Sequence, residues 1–147
     1  MFNILLLAAQ MVSVPVPRDK LPPVAPGARL SLVVADTVSQ TDPQPLCADH
    51  CLSLYRGTFR NTVALAGPPL PERFAGRVLM GSPYNMPYRL ALIVEHRDGQ
   101  EPLIRDQAAF GDRSHEACFE EENSDTLAWQ PQGERIILRR KVICVRE

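Results

Sequence analysis

The sequence predicts an all-β protein, a small antiparallel β-barrel (OB-like) or a sandwich, with little helix. Three observations carry that prediction. Apolar side chains recur at every second position in several short stretches rich in β-branched residues, the period of a strand. Glycine and proline interrupt the chain between those stretches, so each apolar run is too short for a typical helix. Proline itself is frequent, 14 in 147 residues, and each one removes a backbone donor that a helix would need.

The first element is an arm. "MFNILLLAAQMVSVPVPRDK" is apolar from Ile4 to Ala9 and from Met11 to Val16, and its first charged side chain is Arg18. This is too short and too bounded by proline to cross a bilayer as a helix, so no membrane span is expected. It has the apolar core and small following residues, Ala8 and Ala9, of an export signal, without the usual basic start. Residues 1–26 are therefore expected to be an atypical signal-like segment and a proline-rich arm, and residues 27–147 a single β domain. The competing reading is a first strand or an apolar arm of a cytoplasmic protein.

"RLSLVVADTV" alternates Leu30, Leu32 and Val34 with Arg29, Ser31 and Val33 and reads as the first strong strand, while Ser39–Pro45 reads as a loop. In the next strand Leu52 and Leu54 oppose Tyr55 and Phe59 in parity, with Gly57 marking a bend. After the break at Gly67–Pro71, Phe74, Val78 and Met80 share one face, interrupted by Gly76. "GSPYNMP" is a rigid turn. Tyr88–His96 is apolar on both faces and reads as a central strand covered on two sides. Asp98-Gly99 signals a hairpin into a partner strand through "EPLIRD".

Glu116, Glu120, Glu121, Glu122 and Asp125 mark a solvated loop, with a short helix near "HEACFEEE". "GERIILRRKVICVRE" returns to strand composition, its charges at Arg139, Arg140 and Lys141 guarding an edge or a bulge. About six strands result, a pattern that favours a barrel or sandwich. Gly57 and Gly76 inside curved strands favour closure. The topology carries no function by itself.

Four cysteines admit three complete pairings. Cys47, Cys51, Cys118 and Cys144 are the disulfide candidates, with Cys47–Cys51 plus Cys118–Cys144 preferred over the crossed pairings. The alternative is a zinc site built from Cys47, Cys51, His115 and Cys118, with His50 as a substitute ligand. Zinc needs four such donors at about 2.0–2.3 Å, yet C-x3-C is not the familiar knuckle spacing. A thiol-redox pair at Cys47 and Cys51 is disfavoured by the same spacing and by Asp49 between them.

Ser82, His96 and Asp98 make a hydrolase only on paper, because no G-x-S-x-G elbow is present. The acidic run lacks the alternating ligands and turn glycine of a calcium loop. A formal net charge of −1, from 16 basic and 17 acidic residues, gives no one-signed field, so no nucleic-acid partner is expected. Arg139 and Arg140 also fall on opposite strand faces. For recognition, Tyr84, Asn85 and Tyr88 stand on a proline-fixed loop, where aromatic groups lose little entropy on contact. Trp129 is a further candidate. The bland reading is that the tyrosines cap a barrel end and Trp129 plugs a core.

Together these readings give an exported, non-enzymatic binding or structural module without a cofactor, its loops contacting a protein or a glycan. The alternatives are a zinc-stabilised intracellular domain and a small hydrolase.

Overall fold

The computed structural model describes residues 21–46, 52–120, 129–140 and 142–147. It is all-β, with no helix among these residues. Eight strands follow in order: β1 (Arg29–Pro45), β2 (Ser53–Ala66), β3 (Phe74–Met80), β4 (Arg89–His96), β5 (Leu103–Ala109), β6 (Glu116–Cys118), β7 (Ile136–Arg139) and β8 (Val142–Arg146). The first five close a barrel in the order β1-β2-β3-β5-β4, and β4 pairs back onto β1. The last three form a small sheet, β6-β8-β7, laid against the outside of the barrel.

The alternation read from the sequence explains which side chains go where. Along β3 every second residue, from Phe74 to Met80, is buried. β2 does the same through Tyr55, Gly57 and Phe59. These side chains meet Val33, Ala35, Leu90, Leu92, Val94 and Ile104 inside the barrel. Burying each large aliphatic or aromatic group contributes about 1.5–3 kcal/mol.

Gly57 and Gly76 are direct cross-strand partners. A Cβ on Gly57 would sit 3.1 Å from Phe59 and Val78, and one on Gly76 would sit 3.0 Å from the Pro102 carbonyl oxygen. The space is already filled there by neighbouring side chains and the Pro102 carbonyl, so two facing positions without side chains let β2 and β3 curve inward.

β4 is apolar on both faces for the reason its composition suggested. Leu90, Leu92 and Val94 point into the barrel. Ala91 and Ile93 point outward with Leu32, Val34 and Ala108, and are covered by Ala117, Phe119, Ile143 and Val145 of the small sheet and its flank.

Four expectations need correction. Ser39–Pro45 is not a loop but the second half of β1, paired with β2 from Ser39↔Thr58 to Pro45↔Ser53. Pairing with β4 stops at Asp36, so this half is bonded on one side only, where a proline lacking a donor is tolerated. An extra residue between Thr41 and Gln44 is absorbed at Asp42, in the left-handed region (φ 51). The segment expected to be helical near "HEACFEEE" begins as strand β6, and Glu121–Asp125 lies outside the described residues. The C-terminal stretch is a hairpin rather than one interrupted strand, turning at Arg140 (φ 42). Finally, the barrel is mixed, because β3 and β5 run parallel through Arg77↔Leu103 and Val78↔Ile104.

Two polar knots hold the barrel ends. Glu95 is fully buried. It accepts the Ala25 N–H at 3.2 Å and pairs with Arg97 at 3.2 Å and Arg105 at 3.9 Å. The end of the proline-rich arm is thereby fixed to β4.

At the other end of the β1–β4 pairing, Asp36 accepts from Arg89 Nη1 at 2.9 Å and from Asn61 Nδ2 at 2.8 Å. Burial pushes the Asp36 carboxyl up, but these two hydrogen bonds and the Arg89 charge outweigh it and hold it below its ordinary value. A depressed folded-state pKa stabilises above the unfolded value of about 3.9 and is lost as pH falls through the folded one. Asp36→Asn is accordingly expected to cost about 1 kcal/mol at pH 7. The gap from the parent should close below about pH 4, as read by urea unfolding across pH.

Candidate ligand-binding face

Residues on β2 and β3 that do not enter the barrel form its outer flank. The register pairs Leu54 with Leu79, Arg56 with Arg77 and Thr58 with Ala75. Two guanidinium-bearing residues therefore stand directly opposite each other on adjacent strands. Like charges in that position oppose folding. Arg56 is answered by Glu101 of the β4–β5 connection at 2.7 Å, and the nearby Asp42 adds to the field that favours its charged form. Arg77 donates from Nη2 to the Gln44 side-chain oxygen, and no carboxylate among the described residues pairs with it. The flank thus offers a fork of N–H donors beside a leucine pair and a threonine hydroxyl, bordered by the β1 extension and the β4–β5 turn.

The loop 81–88 is pinned as its composition implied. The Tyr84 N–H donates to Gln40 Oε1 at 2.8 Å, and its hydroxyl donates to Gln107 Oε1 at 3.1 Å. Thr37 and Tyr88 exchange hydrogen bonds of 2.8 Å. Tyr84 packs half-buried on the barrel core, and its ring lies 5.1 Å from that of Tyr88 at a 58° tilt. Burial first, and the neighbouring Tyr88 second, push the Tyr84 hydroxyl pKa up. Tyr84 thus closes the barrel mouth, while Asn85, Met86 and Tyr88 are exposed. Trp129 lies half-buried against the second core.

The other candidates are dispersed. Ser82 precedes β4 and His96 ends it, and a strand of that length holds its ends roughly 23 Å apart. His96 instead meets Ser31, with Nε2 2.7 Å from Oγ. The Ser31 hydroxyl donates to the Pro68 carbonyl, which can only accept, so His96 is the donor to Ser31. That is the reverse of the proton direction a serine nucleophile requires. Burial, followed by the Arg29 charge, lowers the His96 pKa.

His115 is exposed and contacts Glu147 Oε2 at 3.1 Å. Cys118 is bonded to Cys144 and in that state has no thiolate to give a metal. Cys47, His50 and Cys51 lie outside the described residues.

Sequence reasoning missed the Arg56–Arg77 pair, although a signal existed. "RG" at Arg56-Gly57 and "GR" at Gly76-Arg77 are mirror images. Antiparallel pairing of the two glycines necessarily sets the two arginines opposite each other. The chain matches no protein-family model, no curated protein and no solved structure.

Proposed function

We propose that this protein is a non-enzymatic binding module of an oxidising compartment that takes an acidic oligosaccharide across the β2–β3 flank. The observation that carries the reading is the Arg56–Arg77 pair. Opposing guanidinium groups cost folding energy. Glu101 answers Arg56, but Arg77 has no carboxylate among the described residues, and a local rule left only half remedied is expected at functional positions. A bound carboxylate or sulfate supplies the counter-charge that Arg77 lacks, and arginine forks suit both geometries. Leu54 and Leu79 give the C–H face of a sugar ring an apolar step, and Thr58 and Gln44 can exchange hydrogen bonds with its hydroxyls. The Cys118–Cys144 bridge supports the oxidising compartment.

The test is calorimetric titration with uronate and sulfated oligosaccharides, a neutral oligosaccharide and a single-stranded oligonucleotide. Binding of the acidic sugars alone, weakening with salt, is expected. Arg77→Thr should weaken it at least about tenfold, the effect of losing one charge-assisted contact. The same change relieves the like-charge contact, so the melting temperature should hold or rise. Preference for the oligonucleotide, equal binding of the neutral sugar, or indifference to Arg77→Thr would overturn the proposal.

A further inference from the structure

The small outer sheet holds a disulfide beside an open pocket, away from the β2–β3 flank and independent of the ligand proposed for it. Cys118 of β6 and Cys144 of β8 are direct partners in the antiparallel ladder, with Cα atoms 4.1 Å apart. The Phe119 N–H donates to the Ile143 carbonyl at 3.0 Å, which makes the cysteines a non-hydrogen-bonded pair, where opposed side chains stand closest. The two sulfurs are not equivalent. Cys144 is almost fully buried, at 1% exposure, whereas Cys118 is exposed.

An open pocket of about 580 Å³ lies over the bridge, lined by Cys118, Cys144, Arg139, Arg140 and Val142. Among the described residues one acid stands close: a Glu116 carboxylate oxygen within 4.8 Å of both sulfurs. Arg139 holds it through two hydrogen bonds of 2.6 and 3.1 Å. Arg140 makes no ion pair among the described residues. The acid beside the sulfurs is thus already matched, and Arg140 adds positive charge to the pocket rim.

We propose that this pocket makes the Cys118–Cys144 bridge a thiol–disulfide exchange site selective for small anionic thiols, those carrying a carboxylate. Entry through the pocket brings the attacking thiolate to the exposed sulfur of Cys118. A new S–S bond forms between the small thiol and Cys118 while the Cys118–Cys144 bond breaks. The bonding electrons leave on Cys144, whose thiolate takes a proton from water. A second molecule of the small thiol, as its thiolate, then attacks the sulfur of the first in the mixed disulfide, forming the small disulfide and expelling the Cys118 thiolate, which takes a proton from water. In total two small thiols are oxidised to one small disulfide and the protein bridge is reduced to two thiols. With Arg139 engaged by Glu116, Arg140 acts by concentrating the anionic thiol at the pocket rim.

The experiment uses the full chain carrying Cys47→Ser and Cys51→Ser, so that one bridge is read. The parent protein with peptide mapping of Cys118 serves as the parallel measurement. The oxidised protein is treated with 3-mercaptopropionate, 2-mercaptoethanol or cysteamine, quenched by alkylation and followed by intact mass. Rates are normalised to thiolate concentration and to a small linear disulfide.

The anionic thiol is expected to react about tenfold faster than the cationic one at low salt, an advantage that salt erodes. The transient adduct should map to Cys118. Arg140→Gln should remove most of the preference without changing the reaction of the neutral thiol. Equal normalised rates, an adduct on Cys144, or a rate equal to that of global unfolding for all three thiols would overturn the proposal.

Discussion

Phe59→Ala is expected to remove about 3–5 kcal/mol of folding stability, a large share of the roughly 5–15 kcal/mol a domain possesses. Phe59 is 2% exposed and among the largest fully buried side chains. Its ring stacks on Phe74 with centroids 5.0 Å apart and planes 21° from parallel. Gly57 and Gly76 flank this pair and have no side chain that could swing into the hole, so relaxation around the cavity is limited. The cost should therefore lie at the upper end of the range. Urea unfolding reads it as a fall in midpoint at constant slope. Val63→Ala, on the exposed side of β2, is the matched control and should stay within about 0.5 kcal/mol. A loss below about 1 kcal/mol at Phe59 would mean that the barrel interior is not packed as described.

Gly67→Ala is the second large effect, expected at about 3 kcal/mol or more, from two additive causes. Gly67 has φ 78°, a region in which a Cβ is strained. That Cβ would also lie 2.1 Å from the Leu30 carbonyl oxygen and 2.9 Å from Ser31 Cα, both backbone atoms that no rotamer change can move. Gly27 separates the causes, because it has nearly the same φ of 76° and no atom within 4 Å of where an alanine methyl would sit. Gly27→Ala should cost only the conformational part, about 1–2 kcal/mol. Displacing Gly67 also withdraws the Pro68 carbonyl from Ser31, so the His96 imidazole signals should shift in the NMR spectrum of Gly67→Ala and stay put in Gly27→Ala. Equal costs for the two changes would refute the close approach at Gly67.

What could be read in the sequence was whatever a period of two and a turn residue dictate locally. The double-sided apolar pattern of Leu90 to Val94 correctly announced a covered central strand, and Asp98-Gly99 correctly announced the turn into β5. Pairing between distant segments has no such local signature. Nothing in "VLMG" and "PLIR" says that β3 and β5 run parallel, since that contact follows from barrel closure. The extension of β1 through Pro43 and Pro45 was hidden because proline reads as a breaker unless one knows which strand edge is unpaired. The acidic content around Glu116 masked β6, whose inward residues are only Ala117 and, just beyond it, Phe119. The arginine pair lay between these cases, legible once Gly57 was placed opposite Gly76 and invisible before.

The clasp between Glu95 and the Ala25 amide also has a geometric consequence. It fixes the point where the polypeptide joins the barrel at the pole beside the β4–β5 turn, while the tyrosine-plugged mouth occupies the other pole. At Ala25 the chain is therefore held to the barrel by a buried carboxylate. The arginine flank of β2 and β3 lies to the side of the line joining these two poles.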